Sequence, residues 1–504
     1  MRTTFHPILF ALIPTLFILV NNLAEIDYRD IFLPLLVIVA ISSALWFIVK
    51  IILKNIVKSA LIISLGLVLF FLYGHYYNLV NEFAKQLGFG NHRYLLIPFI
   101  IAFVVGTIYL VRTRRPLNNA NTIANVISLA IVSIILVNMV TFEFQNADVL
   151  LEKNNHVELM KPENPPDVYY IILDKYAGAI TLKELFNYDN SEFLDFLKNR
   201  GFQIADESYS NYPNTRNSIT SSLNMDYIHN LVDVPTNYTS KRPLNYLVAN
   251  NEVMKNFKSL DYEIVTLDGG WTITKSFSIA DRNLCSQEFV NYDVINQIFE
   301  TSMLNPISVE LSYDQVRESR LCVFAELSEI GARSEKPAFV FTHMILPHEP
   351  ILFGENGEPI NPDSLILKLD TGEGISAEYI AQLKFTNKKV QNAIDKILKS
   401  SETEPIIIIQ SDHGYNSGID WYYAYENDDP VMIAQAMRNF NAYHLPQEGR
   451  SAFYDDITPV NTFRLIFNEY FNGNYPLLEN RMYFNTYDWP YSSKDVTPFI
   501  DKRN

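Results

Sequence analysis

The sequence predicts an N-terminal bundle of five membrane-spanning helices followed by an α/β domain built on a mainly parallel sheet. Three observations carry that expectation. Five apolar segments crowd the first 145 residues, strand-like apolar runs alternate with helical patterns beyond residue 167, and two of those runs end abruptly in acids. Strands that alternate with helices pair in parallel, and parallel sheets bind ligands beyond the carboxyl ends of their strands.

The bundle is expected over residues 1–145. Segments 5–20, 31–49, 59–77, 94–111 and 123–140 are apolar with almost no charge inside them. With flanking residues, each reaches the ~20 residues that a helix rising 1.5 Å per residue needs to span a bilayer. Arg2, Lys50, Lys54, Lys58, Arg112, Arg114 and Arg115 fall on one side, whereas the opposite loops mix Glu25, Asp27, Arg29 and Asp30 with Glu82, Lys85 and Arg93. The positive-inside rule assigns the basic side, and the N-terminus, to the cytoplasm. An odd number of spans then places the C-terminal domain outside the cytoplasmic (inner) membrane. No small-x-small cleavage site follows the first segment, which is therefore read as retained.

Charge divides the chain in the same way. Residues 1–150 hold 10 Lys+Arg against 6 Asp+Glu, which leaves 30 against 50 of the chain totals of 40 and 56 for the remainder. So acidic a surface excludes nucleic acid as a partner, because phosphate contacts need clustered cations. Protein partners have no signature in the chain. Both cysteines, Cys285 and Cys322, lie in the exported part, where a disulfide is permitted, and the sequence leaves bridged and free thiols open.

A polar linker, 146–166, closes with Pro162-Glu-Asn-Pro-Pro166, which cannot continue a helix. The exported domain, 167–504, opens with the strand Val168-Tyr-Tyr-Ile-Ile-Leu173, which runs into Asp174. A helical pattern covers 182–199, with Gly201 suited to its C-terminus. Another helical pattern covers 243–258; the strand 264–267 follows and leads into Asp268-Gly-Gly-Trp271. The strand 338–341 leads into Thr342-His343 and then His348-Glu-Pro350, and a helix is expected over 375–399. Four isoleucines, 406–409, form a strand covered on both faces that ends in Ser411-Asp412-His413-Gly414. The aromatic stretch from 474 shows no clear period and receives no assignment.

The segment Ser208 to Asn224 is crowded with hydroxyls where a loop becomes a helix. Asn214 or Thr215 can serve there as an N-cap. A helix N-terminus also stabilises anions, so Thr215 can equally be a nucleophile whose adduct the dipole favours.

A strand ending in an acid, a Thr at a helix start and a strand ending in Asp-His-Gly together resemble the alkaline phosphatase superfamily, in particular its sulfatase-like branch. That branch includes lipoteichoic acid synthases and phosphoethanolamine transferases, which also carry five N-terminal spans. The resemblance implies that Asp174, Thr215, Asp412 and His413 hold one divalent metal ion (manganese, magnesium or zinc), with Thr215 as nucleophile. It implies that His348 contacts the phosphate or serves the leaving group, with His343 as second candidate. Arg216, Asp268 and Trp271 complete the substrate-side set. Asp268 stands where lipoteichoic acid synthases have a substrate-contacting histidine, which argues against a glycerol-phosphate substrate. If Arg216 aligns with the arginine of the sulfatase motif, Tyr212 occupies the position converted to formylglycine, so that chemistry is not expected. The function implied is a membrane-anchored phosphotransferase or hydrolase, acting through a phosphothreonine on a phosphate-bearing lipid- or glycan-linked substrate. The rival readings are a non-catalytic membrane protein with a sulfatase-like binding domain and a sulfuric-ester hydrolase.

Overall fold

The computed structural model describes residues 3–23, 28–86, 92–145, 157–275, 277–286, 292–330, 333–361, 365 and 375–500. Two compact units emerge: Met1–Ala147 with Gln287–Gln315, and Asp148–Ser286 with Val316–Asn504. The first unit therefore includes a stretch, 287–315, that lies far along the chain from the apolar segments.

In the first unit the apolar segments form α1 (His6–Asn21), α2 (Tyr28–Leu53), α3 (Ile56–Gln86), α4 (His92–Arg112) and α5 (Asn118–Gln145). Within α2 to α5, four stretches are long and apolar enough to cross a membrane; α1, at 16 residues, is shorter. The backbone N–H groups of Phe5 and His6 have no partner in their own helix, and both donate to Asn125 Oδ1 of α5. The helix Tyr292–Glu300 packs Val294 and Ile298 against Ile18, Leu19, Leu23 and Ile31. At Gly74 the chain comes so close to this stretch that a Cβ would stand 2.0 Å from the Glu300 carbonyl oxygen. The Gly74 N–H donates instead to Thr301 O at 3.1 Å.

The second unit is built on a seven-stranded sheet: β1 (Val168–Leu173), β2 (Phe202–Ile204), β3 (Glu263–Leu267), β4 (Arg282–Leu284), β5 (Ala338–Met344), β6 (Ile406–Gln410) and β7 (Asn441–His444), in the order β2-β7-β6-β1-β5-β3-β4. The five strands from β6 to β4 are parallel, while β7 and β2 add an antiparallel edge. The central position of β1 explains its composition: all six residues are buried, as are the four isoleucines of β6. One face packs Tyr170, Phe339, Phe341 and Ile408 against Phe257, Phe463 and Phe467 of flanking helices.

The main departures from expectation are local. The helical pattern of 182–199 divides into Ala179–Phe186 and Ser191–Asn199 because Asn187 takes up a left-handed conformation, and Gly201 closes the second helix with φ +84°. The pattern of 243–258 divides into Arg242–Ala249 and Glu252–Ser259 because the Asn251 side chain caps the Met254 N–H. The unassigned C-terminal stretch contains the hairpin Tyr483–Phe484 with Lys494–Asp495 and the helix Thr497–Ile500. Cys285 and Cys322 are joined in a disulfide with Cα atoms 5.8 Å apart.

Candidate active site

Parallel pairing brings the carboxyl ends of β1, β5, β3 and β6 to one edge, so residues distant in sequence meet there. Ile172 of β1 is level with His343 of β5 and Gln410 of β6. Asp174 and Asp412 each follow two residues beyond Ile172 and Gln410. Asp174, His343 and Asp412 form a buried group whose ligand atoms lie within 4.8 Å of one another.

The turn after β6 is held by short contacts. Ser411 Oγ donates to His413 O at 2.6 Å and accepts from Tyr176 N–H, Asn439 Nδ2 donates to Ser411 O, and Ser218 Oγ donates to Asp412 O. Gly414 is required there: a Cβ would stand 2.4 Å from the Gln435 carbonyl oxygen, while the Gly414 N–H donates to Ala436 O. Beside Asp174, the Lys175 N–H donates to Asp412 Oδ1 at 3.1 Å and so ties the two strand ends together.

Both histidines present an unprotonated nitrogen to the acids. His413 donates its Nδ1–H to the Gly414 carbonyl at 2.8 Å, leaving Nε2 with a lone pair 3.3 Å from Asp412 Oδ2 and 3.7 Å from Asp174 Oδ1. Thr274 donates its hydroxyl to Trp271 O, so His343 Nδ1–H is the donor to Thr274 Oγ1 at 3.2 Å. That leaves the His343 Nε2 lone pair 3.3 Å from Asp174 Oδ2. Asp174 Oδ1, Asp412 Oδ2 and His343 Nε2 are all buried without a hydrogen-bond partner. Lone pairs and carboxylate oxygens facing one another in a dry site repel unless a cation or proton lies among them. The donor set, oxygens and imidazole nitrogens, suits a divalent metal of the manganese, magnesium or zinc type. Burial alone would raise the Asp174 carboxyl, yet when the surrounding imidazoles of His348, His343 and His413 are protonated their charge outweighs it and holds that carboxyl well below the usual range.

Thr215 opens the helix Thr215–Asn224. Asn214 is its N-cap, its side chain accepting from the Asn217 N–H at 3.2 Å. The Thr215 hydroxyl is thus not spent on capping, and it donates to His413 Nε2 at 3.2 Å. The structure brings Asp174, Thr215, Asp412, His413 and His343 together.

The other sequence candidates surround this group. His348 is one-third exposed; its backbone N–H donates to Asp174 O and its Nδ1–H to Glu349 O. Arg216 is buried, donates from Nε to Asn245 Oδ1 and lies 5.7 Å over the Trp271 ring, which meets His343 edge-on at 5.3 Å. Asp268 accepts from the Gly270 N–H and so shapes the turn after β3. Sequence reasoning overlooked Lys175 and Glu349. The buried Lys175 side chain pairs with the partly exposed Glu349 at 2.7 Å, and Ser417 Oγ donates to Glu349 as well. Gln382 donates to the carbonyls of Pro347 and His348 and so fixes the loop that carries His348.

No family model and no curated protein sequence matches the chain. Solved structures similar to it include the C-terminal periplasmic domain of EptC from Escherichia coli in complex with Zn, with 11% identity over 68% of this chain and 95% of that one and a TM-score of 0.43. The lipooligosaccharide phosphoethanolamine transferase A of Neisseria meningitidis is 12% identical over 92% of this chain and 95% of that one, with a TM-score of 0.40. The lipoteichoic acid synthase LtaP of Listeria monocytogenes is 13% identical over 57% of this chain and 69% of that one, with a TM-score of 0.34.

Proposed function

We propose that the protein is a membrane-anchored, metal-dependent phosphotransferase or hydrolase that acts outside the cytoplasmic membrane on a phosphate-bearing, lipid- or glycan-linked substrate. The observation that carries this reading is the convergence of unpartnered, buried ligand atoms on a threonine hydroxyl at a helix N-terminus. Asp174, Asp412 and His413 would hold the cation with Thr215 at its edge, and His343 extends the set beyond the one expected from sequence. A divalent ion bound there would neutralise the acids, lower the pKa of the Thr215 hydroxyl and withdraw charge from the phosphoryl group.

Thr215 Oγ1, reacting as the alkoxide whose proton has passed to solvent and leaving later as the same alkoxide, attacks phosphorus, forming one P–O bond as the bond to the leaving oxygen breaks, with its charge favoured by the helix N-terminus. His348, one-third exposed and close enough to influence Asp174, donates a proton to the leaving oxygen. An alcohol or water then attacks the phosphothreonine, giving its proton back to His348 and freeing Thr215. Arg216 and Trp271 flank the site on the substrate side. Formylglycine chemistry has no support: both cysteines are bridged, and Tyr212 is fully buried.

The anchor follows from the first unit. The apolar faces of α2 to α5 are extensively exposed, Ile52 and Phe144 among them, and surfaces of this kind require a lipid phase. The test is Thr215→Ala in the full-length protein. Turnover of a phospholipid or glycan-phosphate donor should vanish while bound metal remains close to stoichiometric; full activity in the variant would refute the reading.

A further inference from the structure

The turn after β3 reads Asp268-Gly-Gly-Trp271, and neither glycine has room for a side chain. A Cβ on Gly269 would stand 1.8 Å from the His343 carbonyl oxygen, and Gly269 O accepts from the Ile345 N–H at 3.2 Å. A Cβ on Gly270, at φ +99°, would stand 1.5 Å from Arg320 Nη1. The turn is thus packed against the β5 backbone at one glycine and against a guanidinium at the next. The residue that follows, Trp271, meets His343 edge-on and lies under the Arg216 guanidinium.

Arg320 is 4% exposed and belongs neither to the ligand group nor to the substrate-side set. Burying a guanidinium is costly, and an aliphatic side chain would fill the space beside a bare glycine at lower cost if packing were the only purpose. A covalent link holds Arg320 in place. Cys322 follows it by two residues in the helix Asn305–Leu327, and its partner Cys285 directly follows β4. Thr266 and Leu267 of β3 are level with Asn283 and Leu284 of β4, and Leu284 O accepts from the Asp268 N–H at 2.9 Å. The bridge therefore fastens the helix to the strand end beside the turn on which Arg320 rests. Cys285 itself takes φ +60°, a left-handed conformation that a non-glycine residue adopts at a cost, so opening the bridge would release the backbone there. Val323 and Leu327 are buried on the same helix and would keep it docked, which makes the expected change a local one.

We propose that Arg320 is a positioning residue for the substrate-side wall, and that the Cys285–Cys322 bridge acts on the site through it. The guanidinium clamps the Gly269–Gly270 turn, the turn sets Trp271 against His343 and beneath Arg216, and a phosphate-bearing substrate meets that wall. What the wall receives rests on the proposed function, whereas the clamp rests on the packing of Gly270 and the bridge. The protein should accordingly reach full affinity for phosphate only where the two thiols are oxidised, as they are in extracytoplasmic compartments.

The experiment uses the full-length, bridged protein in lipid nanodiscs, with its four tryptophans replaced by 5-fluorotryptophan and with magnesium and inorganic phosphate as probes. The Trp271 fluorine resonance is identified by Trp271→Phe. Arg320→Met and, separately, Cys285→Ser/Cys322→Ser should shift that resonance, leave those of Trp46, Trp421 and Trp489 in place, and weaken phosphate binding at least fivefold. Combining the changes should weaken it little further, because both act through one turn. Arg320→Lys, which keeps the charge but loses the planar fork, should not restore binding. An Arg320→Met protein with the wild-type Trp271 resonance, or with the wild-type phosphate affinity, would overturn the proposal. So would losses that add in the combined variant, or four resonances that all move together, which would mark a general loosening of the fold. Wild-type protein that binds no phosphate, but whose Trp271 resonance still answers to both Arg320→Met and loss of the bridge, leaves the clamp standing and counts against the proposed function.

Discussion

Replacing Asp412 with asparagine should make the metal-free protein more stable while abolishing its response to metal. The two acids place their ligand oxygens within 4.8 Å of each other in a buried site. Two like charges at that distance repel by about 3.5 kcal/mol at the effective dielectric constant of ~20 that suits protein sites. Asparagine has the same shape, and its carbonyl oxygen can keep the bond from the Lys175 N–H now made to Asp412 Oδ1. Its amide can also donate to an imidazole lone pair that faces Asp412 Oδ2. Removal of the charge should therefore raise metal-free stability by about 2–3 kcal/mol, somewhat less than the bare Coulomb figure because the Lys175 N–H bonds an amide carbonyl less strongly than a carboxylate. Wild-type protein should gain about 2.7 kcal/mol from manganese at a hundredfold excess over its dissociation constant, and the variant nothing. The assay is denaturant unfolding in EDTA and in manganese at pH 8.5, above the titration range of free imidazole, followed by tryptophan fluorescence. A variant that is less stable than wild type in EDTA and still stabilised by manganese would refute the argument, because Asp412 would then be a structural hydrogen-bonding residue.

Three further outcomes follow from the same geometry. Reducing or removing the Cys285–Cys322 bridge, which spans 37 residues, should cost about 4 kcal/mol of stability by loop closure, read as a lower unfolding midpoint under reducing conditions. Lys175→Met should cost about 2–4 kcal/mol by taking the cation from Glu349, which keeps the Ser417 hydroxyl, and the double variant Lys175→Met/Glu349→Gln should recover at least half of it; a double variant worse than the single would count against the pair. Burial opposes ionisation of Glu349, but Lys175 and His348 hold its carboxyl below the usual range, so its contribution is complete above that range and lost as pH falls through the lowered value. The stability gap between wild type and Glu349→Gln should accordingly close in acid. Gly414→Ala should distort the turn that carries Asp412 and His413, since its Cβ would meet the Gln435 carbonyl at 2.4 Å, and should lower metal affinity; unchanged affinity would show that the turn tolerates displacement.

The site was legible in part because parallel strands advertise it. Apolar runs ending in Asp174 and in Asp412-His413-Gly414 are visible in one dimension, and their shared edge follows from the sheet class. Thr215 was ambiguous because Asn214 next to it is an equally good cap, and the contact from the Asn217 N–H to Asn214 assigns the cap to Asn214. His343 was harder to place. It lies inside β5, so which way it faces depends on its register against Ile172, and register is not written in either strand alone. Lys175 and Glu349 meet across 174 residues, and nothing near either signals the other. The antiparallel strands β2 and β7 are three and four residues long, too short for an alternating pattern to be distinguished from loop. The stretch 287–315 joined the first unit without an apolar run to announce it, because it packs through scattered residues, Val294, Ile298, Phe299 and Met303 among those described.

The central claim is that Thr215 becomes phosphorylated in a site loaded with metal. Peptide mass spectrometry on purified full-length protein, incubated with manganese and a membrane-lipid extract and quenched in acid, tests it most directly. The account predicts a phosphoryl-bearing adduct on the peptide containing Thr215, absent in Thr215→Ala and in EDTA. Protein that turns over donor while that peptide stays unmodified, under quench times that trap acid-stable phosphothreonine, would contradict it.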